Sequence, residues 1–490
     1  MGTTTPGCRQ MNAHRVVMLG SQHSSLTGFL DGHPDGYERA AVVLLRRIHS
    51  PIQPLEDSDR YIVIDVVPFE ASWITGDSES HISFNLAPLR ECFRRCEEEG
   101  LVFGFVHNHP LGEEGFSEID DVNEKRLLSA IRNRNGKEIS FVSLLWASGK
   151  WTGRVRYGDN PEESFPLRHI LVLSKKMDLS VISSEFESGI YARQEAAFGK
   201  PFVEKLRSLR VCVVGCGGTG SAVAILLARA GVGELILIDS DEIEATNLNR
   251  LRGAAFSDIG DKKAVVLKEY IDSLGLSTAV AAIDAEIDGN PYAVDALSSA
   301  DIVFGCTDDQ IGRELINVAL YVYCLACIDL GLGGKVSEDR EGIPVLSHHH
   351  ARLSTILPEH GECLFCQGVI RQDWIQYQYA LRENPEMSED EARERYLTGG
   401  GEDAPGVAPF TGAAADFAVA NLFELLRSFR RLPGSLRSDA YSLDFVNMEL
   451  RSVAACMDAG CPYCGTRSFL NMRESARLNR PILGKRNEAL

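Results

Sequence analysis

Long apolar runs are missing from this chain of 490 residues. No stretch approaches the roughly 18 uninterrupted apolar positions that a membrane-spanning helix needs. Residues 1–10 also lack the apolar segment that directs export. Long basic runs are missing too. The 69 Asp and Glu outnumber 50 Lys and Arg, for a net charge of −19, which argues against a nucleic-acid partner or an anionic membrane surface. The expectation is a soluble cytoplasmic protein. In such a reducing compartment, thirteen cysteines read as thiols or metal ligands rather than a disulfide framework. No internal repeat is visible. The hydrophobic fraction of 44% suffices for sizeable cores, and the length suggests two to four domains of about 150 residues each.

One block stands out: His107-Asn108-His109-Pro110, six residues, then Ser117-Glu118-Ile119-Asp120. It closes an apolar run over 101–106 that reads as a buried strand. Two imidazoles two apart, with a carboxylate following after a loop, can put three ligands on one metal. Zinc hydrolases keep three protein ligands and an open position for a water whose pKa the metal lowers. The competing reading is a pair of solvated loop histidines.

Around this block, residues 15–160 pattern as a compact α/β unit. A helix opens at 36–41 and runs into 42–45. A strand follows at 61–67, then helices at 89–99 and 120–133, and a hairpin over 139–155 turning at Ser148-Gly149-Lys150. Residues 161–189, after a Pro/Asp/Glu-rich start, read as a linker with a docking segment. Regular alternation then begins, with strands at 211–214, 235–239, 280–283, 300–305 and 327–330 and helices at 220–230 and 262–273. That predicts a doubly wound, Rossmann-like parallel sheet in a domain spanning 190–475. The Gly-, Ala- and Pro-rich stretch over 398–415 reads as a mobile crossover loop (about 395–412), and 476–490 as a tail.

A second signature lies in that domain: Gly215-Cys216-Gly217-Gly218-Thr219-Gly220, after a strand and before a helix, with Asp239 nineteen residues on. Such glycines let backbone approach phosphates at a helix N-terminus, and an acidic residue can accept ribose hydroxyls. Alone, this fits any dinucleotide site, a dehydrogenase included.

Both signatures resemble known families. The first string is similar to the JAMM/MPN metalloprotease motif H-x-H-P-x6-S-x-x-D, with Asn108 where Ser or Thr is usual. This resemblance implies a cytidine-deaminase-like α/β domain with a catalytic Zn²⁺ on His107, His109 and Asp120. It also implies an upstream glutamate as general base, matched by Glu38 in Pro34-Asp-Gly-Tyr-Glu38, although the family's glycines are replaced there; Glu70 is the reserve. Ser117 would donate to the developing oxyanion, a contribution of roughly 3 kcal/mol when well placed. The implied substrate is a peptide or isopeptide bond at the C-terminus of a ubiquitin-like protein.

The second region resembles the ThiF/MoeB activating family. Residues Asp239 to Arg250 match D-x-D-x-(V/I)-x-x-x-N-L-N-R, with Asn247 in the motif. Gly260-Asp-Lys-Lys263 matches G-x-x-K, Cys306-Thr-Asp308-Asp309 matches C-T-D-N, and Tyr191-Ala-Arg193-Gln194 matches Y-x-R-Q. The resemblance implies ATP on Gly215, Gly217, Gly218, Gly220, Asp239 and Asn247. Arg250 and Lys263 would neutralise charge as a carboxylate attacks the α-phosphate, and Asp308 would hold Mg²⁺. Arg193 would reach the neighbouring subunit's ATP, which implies a homodimer.

Cys363-Leu-Phe-Cys366 and Cys461-Pro-Tyr-Cys464 read as two knuckles of one closed, structural Zn²⁺ site. Ubiquitin activators that form a thioester carry a cysteine in or near the crossover loop, yet none lies between Cys366 and Cys456. Cys456 is a candidate nucleophile, Cys324 and Cys327 read as buried, and His348-His349-His350 reads as an exposed polar stretch. The chain thus resembles bacterial fusions from ubiquitin-like conjugation operons, which are associated with phage defence. The expected activities are zinc-dependent (iso)peptidase cleavage and ATP-dependent adenylation at the C-terminal glycine of a ubiquitin-like partner. A conjugating enzyme would be a further partner. The alternative is activation of a sulfur carrier to a thiocarboxylate, with a sulfurtransferase as partner.

Overall fold

The computed structural model describes residues 14–182, 189–397, 406–431, 439–453 and 458–465. The chain divides into two compact units, Met1–Ser188 and Gly189–Leu490.

In the first unit the elements run β1 (Arg15–Leu19), α1 (Gly20–Leu30), β2 (Ala40–His49), β3 (Asp59–Pro68), β4 (Ile74–Asp77), β5 (Ile82–Phe84), α2 (Arg90–Glu99), β6 (Val102–Asn108) and α3 (Glu118–Asn135). They continue with β7 (Ser140–Ala147), β8 (Lys150–Tyr157), β9 (Asn160–Pro166), β10 (His169–Leu173) and β11 (Met177–Val181). Nine of the described strands make one sheet in the order β11-β10-β1-β3-β2-β6-β7-β8-β9, and β4 and β5 pair separately. Both faces of the sheet are covered. Ala41, Val43 and Leu45 pack with Leu26 and Leu30 of α1. Val42 and Leu44 pack on the other face with Cys92, Phe93 and Cys96 of α2 and Leu127, Leu128 and Ile131 of α3.

That two-sided burial explains a correction. Residues 40–45, read as the body of a helix, are a central strand paired to both β3 and β6. A strand covered on both faces carries a continuous apolar run, which periodicity cannot tell from a buried helix. A second correction concerns 161–189. Residues 160–181 are not a linker but strands β9, β10 and β11, and β10 runs parallel to β1 over Arg15↔His169 to Leu19↔Leu173. The helix expected at 89–99 and the hairpin at 139–155 form as α2 and β7–β8.

The second unit runs α4 (Ala192–Phe198), α5 (Lys200–Ser208), β12 (Arg210–Val214), α6 (Gly218–Ala230), β13 (Glu234–Ile238), α7 (Lys263–Ser273), β14 (Ala279–Ile283), α8 (Pro291–Ser298) and β15 (Ile302–Gly305). Then come α9 (Gln310–Val322), β16 (Ala326–Glu338), β17 (Pro344–Ile356), α10 (Gln372–Glu383), α11 (Glu389–Tyr396), α12 (Ala408–Leu426), β18 (Ala440–Asp444) and β19 (Glu449–Ser452). The sheet order is β14-β13-β12-β15-β16-β17-β18-β19. The strands from β14 to β16 are parallel, whereas β17, β18 and β19 add antiparallel, so the sheet is mixed rather than wholly parallel. The chain winds outward from β12 to β14, then returns to the other side of β12 with β15. This reversal opens a crevice at the C-terminal ends of β12 and β15, where ligands bind in such sheets.

The Gly/Ala-rich stretch is corrected in part. From Ala408 onward it is helix α12, which packs along α6. Small residues such as Ala414, Ala415 and Ala418 are buried there because they let the two helix backbones approach closely. Residues 398–405 of the expected crossover, Cys456 and the tail lie outside the described residues. The three histidines lie in β17: His348 is exposed as expected, His350 is half-buried, and strand alternation buries His349 between Phe410 (ring centroids 4.4 Å) and Phe445 (5.5 Å). Among the described residues no helix is long and apolar enough to cross a membrane.

Candidate functional sites

In the first unit the sequence places three donors on different supports. His107 lies near the end of β6, His109 just past it, and Asp120 in the first turn of α3. Ala40 of β2 pairs with His107, which brings Glu38, just before that strand, alongside. All four side chains are buried. His107 Nε2 stands 3.2 Å from His109 Nε2 and 2.9 Å from Asp120 Oδ1, and His109 Nε2 is 3.4 Å from Asp120 Oδ2. Nitrogen and oxygen ligands at about 2.0–2.1 Å from a tetrahedral zinc stand about 3.3 Å apart, so these three could hold such an ion. His109 Nδ1 lies 3.0 Å from the Glu113 carbonyl, a contact that fixes the ring and turns Nε2 toward the cluster.

Glu38 Oε1 is 3.9 Å from His109 Nε2. Burial raises its carboxyl to about 7, against the lowering influence of His107 and His109, which suits a proton acceptor working near neutrality. Burial would also raise the Asp120 carboxyl, but hydrogen bonds from His107 and His109 outweigh it and hold the group well below the usual carboxylate range. Ser117 is engaged differently from the expected oxyanion role. Its hydroxyl donates to Asp120 Oδ2 (2.8 Å) and its backbone N–H to the same oxygen (2.7 Å), while Asp120 N–H donates back to Ser117 Oγ (3.2 Å). This capping box orients the Asp120 carboxylate. Glu70 is exposed, with Ser72 Oγ–H donating to its carboxylate.

In the second unit the glycine turn follows β12 and leads into α6, placing backbone N–H groups at a helix N-terminus inside the crevice. Gly215 has φ +89°, and a Cβ there would meet the Cys306 backbone at 2.8 Å; a Cβ at Gly220 would overlap the Gly215 carbonyl at 1.8 Å. Only glycine lets β12, β15 and α6 meet this closely. Gly217 is the N-cap of α6, and the stem of Arg250 lies over Gly218, whose Cβ would meet Arg250 Cγ at 3.0 Å. Asp239 follows β13 and accepts from Cys216 N–H (2.6 Å) and Asp241 N–H (2.8 Å); burial raises its carboxyl. Asn247 Oδ1 accepts from Glu244 N–H at 3.3 Å, and Lys263 Nζ pairs with Asp241 at 2.7 Å. Asp308 is exposed after β15, whereas Asp309 caps α9 through the N–H groups of Ile311 (3.3 Å) and Gly312 (2.6 Å).

Arg193 is exposed on α4. Its motif neighbours anchor that helix: Tyr191 is buried against Gly231, and Gln194 Nε2 donates to the Ala230 carbonyl at 3.0 Å.

The four knuckle cysteines converge, with Cys363 Sγ 3.7 Å from Cys461 Sγ and Cys366 Sγ 3.6 Å from Cys464 Sγ. Thiolates at about 2.3 Å from a tetrahedral zinc stand about 3.8 Å apart, so this set too could hold the ion. The cluster is tied to α9: Tyr463 Oη–H donates to Glu314, and Leu364 N–H to Asn317 Oδ1 at 3.0 Å. Sequence reasoning missed one group beside the crevice. Asp329 of β16 is fully buried, paired to Arg352 and 3.6 Å from Arg313 Nε. The three lie on α9, β16 and β17, and the pairing of β16 with β17 together with the packing of α9 brings them together.

The second unit is thus a Rossmann-type α/β domain with a glycine turn at its switch point. Residues 191–463 match the model of the ThiF family. This match spans more than half of the chain, which belongs to the ThiF family; its C-terminal unit is an adenylyltransferase domain of the activating-enzyme class. The chain is 28% identical over 265 residues to the sulfur carrier protein ThiS adenylyltransferase of Escherichia coli (strain K12), covering 54% of this chain and 88% of that protein. It is 27% identical over 210 residues to ubiquitin-like modifier-activating enzyme 5 of Dictyostelium discoideum, covering 39% and 50%. Among solved structures, E. coli MccB with succinimide aligns with a TM-score of 0.43 at 21% identity, over 58% of this chain and 77% of that one.

Proposed function

We propose that the protein acts twice on the C-terminus of a ubiquitin-like partner, cleaving a peptide or isopeptide bond in the first unit and adenylating the terminal glycine in the second. The convergence of His107, His109 and Asp120 with buried Glu38 alongside supports the hydrolytic head. Zinc held by these three ligands supplies Lewis-acid chemistry toward water and a carbonyl. Glu38 takes and holds the proton, and Ser117 keeps Asp120 in its orientation. In the second unit, the amides of the glycine turn and the N-terminus of α6 receive phosphate oxygens, and Asp239 receives the ribose. Asp308 holds Mg²⁺, and Arg250 and Lys263 offset negative charge. A glycine carboxylate oxygen then bonds to the α-phosphorus as the bond to pyrophosphate breaks. Arg193 completes the site of a second copy in a homodimer, and the four cysteines hold a structural zinc.

A second reading, delivery of the adenylate to an external sulfur donor, is favoured by one observation. Among the described residues, every cysteine outside the knuckles is buried or half-buried, and burial pushes the Cys306 thiol far up. None of these is an accessible thioester nucleophile. The deciding experiment incubates the full chain with Mg-ATP and a ubiquitin-like protein carrying a tail beyond its Gly-Gly, and reads intact masses. Expected are tail loss that disappears in His109→Ala and an acyl-adenylate that disappears in Asp308→Ala. An enzyme-linked adduct cleaved by thiol would favour conjugation over sulfur delivery, and a partner unchanged in mass would sink both activities.

A further inference from the structure

Asn108, between the two histidines, is not spare. Its side chain is 3% exposed and points to the face of β6 opposite that of His107, by strand alternation. There its amide reaches two ways. Oδ1 accepts from the Arg39 backbone N–H at 2.7 Å, and Nδ2 donates to the carbonyl of Leu30, the last residue of α1, at 3.0 Å. The Asn108 backbone N–H adds a bond to the Arg39 carbonyl at 3.3 Å. The Arg39 guanidinium also returns to α1, donating to the Phe29 carbonyl at 2.9 Å. Just upstream, Glu38 N–H donates to the Ser78 carbonyl at 2.8 Å. The backbone carrying Glu38 is therefore clamped on both sides, by the β4–β5 turn before it and by Asn108 after it.

We infer that Asn108 is a positioning residue, whose amide sets the distance of Glu38 from the His107–His109–Asp120 cluster. This inference rests on the metal-site reading of the first unit. The residue type follows from the geometry. An amide carries an acceptor and a donor on separate arms, so it can bond Arg39 N–H and the Leu30 carbonyl at once. A serine or threonine hydroxyl is one atom closer to the backbone and has no second arm. Aspartate could accept from Arg39 but would face the Leu30 carbonyl with an oxygen.

The test uses the full chain as wild type, Asn108→Ser, Asn108→Asp and Glu38→Gln, with Zn²⁺ kept on the four cysteines and Co²⁺ loaded at the histidine cluster as a spectroscopic substitute for zinc. In Asn108→Ser, hydrogen exchange at the Arg39 amide is expected to rise roughly fivefold, the effect of one lost hydrogen bond, with exchange around Asp120 unchanged. Its Co²⁺ affinity should stay within about twofold of wild type, because no ligand is altered. Its visible Co²⁺ band should shift in the direction that Glu38→Gln shifts it. Asn108→Asp should keep the Arg39 amide protected yet show a partial band shift. Wild-type exchange and a wild-type band in Asn108→Ser would overturn the inference. Co²⁺ binding that survives His109→Ala while the four cysteines keep their zinc would instead overturn the metal site, an outcome the exchange measurement distinguishes.

Discussion

Asp308 and Asp309 are chemically alike, yet the N-terminus of α9 separates them. Asp309 is committed to the helix cap, and Asp308 faces outward. Losing an N-cap costs about 1 kcal/mol, whereas an exposed substitution changes stability by about 0.5 kcal/mol or less. Asp308→Ala should therefore melt close to wild type while ATP–pyrophosphate exchange falls by roughly 100-fold; Asp309→Ala should melt about 2 °C lower. Calorimetry beside the exchange assay separates the two, and normal exchange in Asp308→Ala would remove that residue from the site. Asp59 carries the pH prediction. Burial pushes its carboxyl up, but hydrogen bonds from His49 (2.9 Å) and Arg47 (2.8 Å) outweigh this and lower it from 3.8 to about 2. A depressed carboxyl contributes stability above its unfolded value and loses it as pH falls through the folded one. The first unit should lose about 2 kcal/mol between pH 4 and pH 2. Denaturant midpoints across that range should show the loss, and Asp59→Asn should flatten it. Equal slopes in both proteins would show that the acid sensitivity comes from elsewhere.

At the scale of elements, β10 and β11 make the sharpest claim. Strand β1 is paired on one side to β3 and on the other to β10, so a fragment ending near residue 160 would expose an edge of apolar β1 backbone. Such an edge invites aggregation. A fragment of residues 14–182 should be soluble and melt cooperatively, whereas 14–160 should aggregate or bind hydrophobic dye. A well-behaved 14–160 fragment would mean that the sheet closes without β10. This boundary was illegible in sequence because strands of five to seven residues among Pro, Asp and Glu look like linker. Residues 408–415 misled for the opposite reason: glycine and alanine signal looseness in isolation but close helix packing when α6 lies opposite.

For the whole molecule, the proposed function assigns separate chemistries to the two units, and the proposed dimer adds a third relation. If Arg193 serves the partner's nucleotide, Arg193→Ala and Asp308→Ala should each be inactive alone. Mixed one to one and allowed to exchange subunits, they should recover about a quarter of wild-type pyrophosphate exchange, since half the dimers are mixed and each has one intact site. No recovery, in a mixture shown by mass to contain mixed dimers, would mean that Arg193 acts within its own subunit. His109→Ala should leave adenylation of a partner that already ends in its terminal glycine untouched.

Local chemistry was legible in the sequence. The residues of the histidine–aspartate cluster, the glycine turn and the paired knuckles are read from short spacings, because each is set by adjacent backbone geometry. The tertiary structure decided what distance along the chain conceals. It put Glu38 beside His109 by pairing β2 with β6 and made Asn108 a clamp. It turned Ser117 toward Asp120, joined Asp329 to Arg313 and Arg352, and buried His349 in a strand. Each depends on which strands pair and which faces are covered, a property of the assembled sheet that no window of sequence contains.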